Sequence, residues 1–276
     1  MSKKIYEMVT QQIIEKLEKG VVPWKKPFQS SAAVNWKTQK AYRGINTFLL
    51  DKGEYATYKQ IKDAGGKVKK GEKSQIIVFW KWLEKEDKES GEKEKFPLLR
   101  YYNVFEINTQ VEGLESKRDF EEYEHNPVAE AEKIKDLYMN APDYTFEPLG
   151  AWYKPGKDLV NVPPMKEFED VHKFYSTLFH EMVHSTGHAS RLNRPGITEH
   201  NSFGDESYSK EELVAELGAS MLCAVAGIDN DTIDNSAAYI KSWLSALKDD
   251  NTLIVQASQQ AQKASDYIQG IKFDAK

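Results

Sequence analysis

The sequence predicts an α+β protein of two domains. Strand-like runs fall in its first half, helical segments crowd its second half, and charge divides between the two. Residues 1–110 hold 22 Lys and Arg against 14 Asp and Glu, leaving 16 against 29 in residues 111–276, within a net charge of −5. Such asymmetry points to domains with different partners and makes the basic half a candidate for a polyanion. At 276 residues with 40% hydrophobic and 12% aromatic content, each half has enough apolar mass for a core.

Ile5, Val9, Ile13, Ile14 and Leu17 recur at helical spacing and Gly20 stops them, which predicts a helix over 4–19. A proline-containing loop follows through residue 28. Thr57 reads as the N-cap of a short helix ending at Gly65-Gly66. Residues 75–82 and 98–105 read as strands, and the charged stretch 84–95 between them as a solvated hairpin tip. Residues 111–125 are polar and irregular. They place a linker at 113–125 between domains at 1–112 and 126–276.

Asn126-Pro127 opens the second domain with a helix cap and an N1 proline. Residues 151–153 and 159–162 flank Lys154-Pro155-Gly156-Lys157-Asp158 as a short hairpin. Helices follow around His180 and over 209–226, 236–247 and 253–271.

The string His180-Glu181-Met182-Val183-His184 carries the sharpest chemical signal. On a helix it sets two imidazoles one turn apart on one face, which suits two zinc ligands, with the Glu able to take a proton from a metal-bound water. The expected cofactor is one zinc ion, with another divalent metal as the alternative. A third histidine three positions after a glycine would require His at 190, where Ser190 stands. Glu212 and Glu216 offer the third ligand instead, one binding metal while the other orients a ligand histidine. Glu212-x-x-Ala215-Glu216-x-x-Ala219 resembles the third-ligand helix of zincins that use Glu, which makes Glu212 the ligand and Glu216 the orienting or alternative carboxylate. The competing role for Glu212 is a capping box with Ser209. Glu181 is the expected general base, and Tyr208 or His188 would stabilise an oxyanion. The bland alternatives for the last two are a packed aromatic and a helix C-terminal cation.

In the basic half, aromatic residues alternate with cations in the manner of sequence-tolerant single-strand binders, in which bases stack and phosphates pair with Lys or Arg. The candidate contacts are Trp24, Lys25, Lys26, Tyr42, Arg43, Lys67, Lys69, Lys70, Lys73, Trp80, Lys81, Arg100 and Tyr102, whereas Trp36 is expected in the core. Gly66–Ser74 nearly spells a phosphate-binding loop, but Glu72 interrupts the required Gly-Lys pair and no strand precedes it. It is a basic turn.

No apolar run approaches the roughly 18 residues that span a membrane, and the first residues lack the apolar stretch of a signal peptide. The single Cys223 excludes an intrachain disulfide, fits a reducing compartment and is expected as a core residue. These features predict a cytoplasmic protein with no membrane partner.

The whole chain is similar to the ArdC-type antirestriction proteins of plasmids and phages. The resemblance rests on residues 40–46 (Lys-Ala-Tyr-Arg-Gly-Ile-Asn), 55–60, 71–73 with 78–81, and 100–105. In the second half it rests on 180–188, 191–194, 203–205 and 211–223. It implies an N-terminal domain that binds single-stranded DNA, a C-terminal zincin metallopeptidase-like domain, and protection of incoming DNA from restriction. A protein substrate, and so a hydrolase, is expected only if the zincin scaffold has kept its chemistry.

Overall fold

The computed structural model describes residues 2–25, 33–86, 93–118, 126–148, 150–198, 206–228 and 237–272; at 2, 81–86, 93–97 and 206–208 it describes the backbone alone. The chain divides into two compact units, one of Met1–Glu15 with Ser31–Glu121 and one of Lys16–Ser30 with Glu122–Lys276. Residues 16–30 thus go with the second unit, a departure from the boundary expected at 112.

In the first unit, helix α1 (Ser2–Glu18), whose last three residues belong to the second unit, is followed by strand β1 (Val34–Asn35), helix α2 (Asn46–Leu49), strand β2 (Glu54–Thr57), helix α3 (Tyr58–Asp63) and strand β3 (Lys67–Val68). Strands β4 (Gln75–Glu86) and β5 (Lys93–Glu106), helix α4 (Ile107–Gln110) and strand β6 (Val111–Glu112) complete it. The main sheet runs β1-β2-β5-β4, with β1 parallel to β2 and the other pairs antiparallel; β3 and β6 form a separate ribbon. Thr57 caps α3, as the sequence predicts, and the structure adds a full capping box with Gln60.

The β4–β5 hairpin is longer than expected: its register continues through Glu84 opposite Lys95 and Lys85 opposite Glu94 to Glu86 opposite Lys93. The rest of the expected tip lies outside the described residues. At the β4 edge, Asn46 accepts from the Val78 N–H and donates to its carbonyl, both at 2.8 Å, which covers an otherwise open edge.

One core cluster gathers Ala33, Tyr42, Leu50, Tyr55, Ile77 and Val104; another gathers Trp36, Ala56, Ile61, Ile107 and Val111. The expected linker is held to this unit through residue 118. Trp36 donates to the Glu115 carbonyl at 2.9 Å, Lys117 lies over the Trp36 ring, and its N–H reaches buried Glu54. Trp36 is core, as predicted.

The second unit contains helix α5 (Pro127–Leu137), strands β7 (Asp143–Thr145), β8 (Trp152–Lys154) and β9 (Leu159–Asn161), and helices α6 (Val171–Ser185), α7 (Pro195–Thr198), α8 (Glu206–Ala226), α9 (Ala237–Asp249) and α10 (Leu253–Ile268). Asn126 caps α5 through the Ala129 N–H, ahead of Pro127 at its start. The expected hairpin forms as β8 and β9, joined by a 3-10 turn and a left-handed Asp158. The sequence reading missed β7, which lies parallel to β9 on its other side and leaves β8 at an edge.

Helices α6 and α8 pack against each other, and Phe179, Met182 and Val183 on α6 and Leu213 and Leu217 on α8 are fully buried. Burial of each such side chain contributes about 1.5–3 kcal/mol. The approach is close because Gly218 lacks a Cβ, which would lie 2.8 Å from Val183 Cγ2. Cys223 is buried on α8, and no helix among the described residues is long and apolar enough to cross a membrane.

Candidate metal centre and nucleic-acid face

Asp170 caps α6 by accepting from the His172 N–H, and the helix runs unbroken past His180, Glu181 and His184. The i, i+4 spacing brings the two imidazoles together, with Nε2 of His184 3.1 Å from Nε2 of His180. Glu212 reaches both from α8: its Oε2 is 3.5 Å from His180 Nε2 and its Oε1 3.5 Å from His184 Nε2. The three donors lie within 4.8 Å of one another, and this is the group able to hold a metal ion among the described residues. Two neutral imidazoles and a carboxylate are a donor set that leaves a tetrahedral ion one open position. Glu212 lies on the second turn of α8, so Ser209 is not its N-cap and the capping-box alternative fails.

The cavity before these residues measures about 810 Å³ and is lined by Trp152, Tyr153, Gly156, His188 and Ile197 as well as by the cluster. Glu181 is buried beside it. Burial pushes its carboxyl above the ordinary value, partly offset by His184, His180 and the nearby Tyr153 backbone. Burial works against charge on His184 too. A hydrogen bond to Glu211 and the fields of Glu212 and Glu181 outweigh it and lift the imidazole to about 9. The acidic ring therefore favours a cation at this point, whether proton or metal ion.

Arg191 fixes the rim. It donates to both Asp158 oxygens at 2.8 and 2.6 Å and to the Ser185 carbonyl at 2.9 Å, tying the end of α6 to the β8–β9 turn. His188 lines the cavity with its Nδ1 2.8 Å from Ser190 Oγ. The side chain of Tyr208 lies outside the described residues.

Glu216 does not orient a ligand histidine. One turn beyond Glu212, it accepts from Trp24 Nε1 at 3.0 Å and from the Tyr239 hydroxyl. Glu211, which the sequence reading passed over, lies 3.4 Å from His184 Nδ1 and forms a buried pair with Arg194. Adjacent acids on a helix point about 100° apart, so Glu211 and Glu212 serve different sides of the same imidazole.

The candidate DNA contacts separate sharply. Trp24 is fully buried in the second unit, edge-on to Trp243, and cannot present its ring to a base. Tyr42 is buried against Tyr55. Both are withdrawn from any surface, because the apolar ring was worth more in a core than beside its flanking cations. Lys25 and Arg43 are half-buried, and Lys69 donates to the Thr109 carbonyl at 2.8 Å. Lys67, Lys70 and Lys73 are exposed near the β3 turn. Lys26 and the side chain of Lys81 lie outside the described residues.

On the hairpin, register and alternation put Ile77, Phe79, Arg100 and Tyr102 on one face and Val78, Trp80 and Tyr101 on the other. Trp80 is half-buried, with its ring 6.4 Å from that of Tyr6 on α1. Phe79 and Tyr102 remain 45% and 43% exposed, 6.1 Å apart, beside exposed Arg100, which has no ion-pair partner among the described residues. Phe79 was missed. Strand alternation from Ile77 was the signal that could have found it.

Residues 3–105 match the family model of the N-terminal domain of the anti-restriction factor ArdC, and residues 141–260 match that of a zincin-like metallopeptidase domain. The metal-free crystal structure of the antirestriction protein ArdC from plasmid R388 is similar with a TM-score of 0.75 and 38% identity, covering 96% of this chain and 97% of that one. The Mn(II)-bound structure of that protein gives 0.75 and 36% over the same shares. The uncharacterized protein y4eC of Sinorhizobium fredii is 30% identical over 98% of this chain and 93% of its own length. DNA primase TraC of Escherichia coli is 34% identical over 96% of this chain, which spans only 20% of that protein's length.

Proposed function

The chain belongs to the ArdC antirestriction family, and on that premise we propose that it binds single-stranded DNA through its basic half and carries a divalent-metal centre of metallopeptidase type in its other half. The convergence of His180, His184 and Glu212 in the cavity under β8, with Glu181 buried beside them, carries this reading. The donor set fits one ion. The Mn(II)-bound relative supports a divalent metal, and the zincin-like match supports zinc as the natural occupant. When bound, such an ion supplies Lewis-acid polarisation of a carbonyl and of water.

The chain's own residues would do the rest. Glu181 takes a proton from the attacking water and passes it to the leaving amine. His188, or Tyr208 on α8, donates to the oxyanion. The free edge of β8 can pair with an extended peptide. That the carboxyl of Glu181 is kept, buried and lining the cavity favours a working peptidase, recruited by DNA, over a site that only binds metal.

For DNA, the net positive charge of residues 1–110 and the exposed face of Phe79, Arg100 and Tyr102 support stacking on unpaired bases with phosphate pairing. Lys67, Lys70 and Lys73 add sequence-independent attraction. Binding to single strands is proposed to protect incoming DNA of a mobile element, plasmid or phage, from restriction. A proteolysis screen with and without single-stranded DNA, comparing wild type with Glu181→Gln, tests the peptidase reading. Metal-dependent cleavage that the variant lacks supports it; no cleavage under any condition leaves a DNA-binding protein with a non-catalytic metal site.

A further inference from the structure

We propose that Glu211, held in place by Arg194, is the positioning residue for His184, a role that the i, i+4 pattern would give to Glu216. The inference rests on the reading of His180, His184 and Glu212 as metal ligands. Glu211 and Arg194 are 5% and 4% exposed. Arg194 donates to Glu211 through Nε at 2.9 Å and a terminal nitrogen at 2.6 Å, so both carboxylate oxygens are fixed. The same guanidinium reads the end of α6, donating to Thr186 Oγ1 at 2.6 Å, to the Val183 carbonyl at 2.8 Å and to the His184 carbonyl at 3.4 Å.

Gly187 makes room for this: a Cβ there would lie 3.0 Å from the Arg194 terminal nitrogen and 2.5 Å from Ile197 Cγ1. The carboxylate is thereby aimed at His184 Nδ1, 3.4 Å away, while Nε2 of that ring faces His180 and Glu212. A carboxylate on Nδ1 keeps the proton there, frees the Nε2 lone pair and makes it more basic. The 3.4 Å separation is at the long end for a hydrogen bond.

Arg194 is a fork that a lysine cannot imitate. Its effect on the imidazole runs through Glu211, so Arg194→Lys should weaken metal binding in the wild-type background and add little once Glu211 has become Gln.

The test is zinc titration of the full chain in wild type, Glu211→Gln, Glu216→Gln and Arg194→Lys, with nitrogen-detected NMR of zinc-loaded wild type. Glu211→Gln, nearly isosteric, should bind zinc 10–100-fold more weakly, and Glu216→Gln should bind as wild type does. In the wild type, His184 should carry its proton on Nδ1 and coordinate through Nε2, a result that needs no variant to fold. Equal affinity in Glu211→Gln, or zinc on Nδ1 of His184, would overturn the proposal. Absence of zinc binding by the wild type would instead overturn the metal reading beneath it.

Discussion

Trp24 donates its indole N–H to Glu216 across 192 positions of sequence, at 3.0 Å, with the Tyr239 hydroxyl sharing the same carboxylate oxygen. The contact anchors residues 16–25 to the helix that carries Glu212. Trp24→Ala removes a fully buried ring and a donor together. It should destabilise the second unit by about 3–5 kcal/mol, and Trp24→Phe by about 1–3 kcal/mol. Denaturant unfolding followed by circular dichroism measures both; a Trp24→Phe variant as stable as wild type would mean that the hydrogen bond contributes nothing.

Burial pushes the Glu216 carboxyl up to about 7, further than its bonds to Tyr239 and Trp24 lower it. In the unfolded chain the group titrates near its ordinary value, about 4.3. Between those values the folded state holds more protons, so this group's contribution is full below the lower value and is lost as pH rises through the upper one. Melting temperatures from pH 4.5 to 8 should fall across this window more steeply in wild type than in Glu216→Gln, whose amide stays neutral. Parallel curves would show that Glu216 ionises freely.

On the proposed DNA face, Phe79→Ala and Tyr102→Ala should each weaken binding to a single-stranded oligonucleotide by about 1–3 kcal/mol. Arg100→Ala should lower the slope of log K against log salt by about 0.7. Fluorescence anisotropy at several salt concentrations reads both effects. Tyr101→Ala, on the opposite face of the hairpin, should change the affinity little, and an equal loss there would deny the face its role.

What the sequence made legible was local. The helix around His180, the caps at Asn126 and Thr57 and the β8–β9 turn all depend on spacings of a few residues. The grouping of His180, His184 and Glu212 was accessible for the same reason, once the resemblance to zincins brought Glu212 in from α8. What escaped depends on distant partners. Trp24 sits beside Lys25 and looks like a nucleic-acid residue until Glu216 and Tyr239 are seen around it. Glu211 is one residue from Glu212, and only Arg194, 17 positions earlier, reveals which of the two faces His184 from behind. Phe79 and Trp80 differ by one position on a strand, and what decides between them is the packing of Tyr6 on one face. Period-2 alternation tells faces apart without saying which is covered.

The most direct test is metal stoichiometry measured by titration and elemental analysis on wild type, His180→Ala, Glu212→Ala and Glu181→Gln. Wild type and Glu181→Gln should each hold one divalent ion per chain, because the base is not a ligand. His180→Ala should lose it and Glu212→Ala should bind it far more weakly. Full occupancy in both ligand variants would contradict the assignment of His180, His184 and Glu212 as a metal centre.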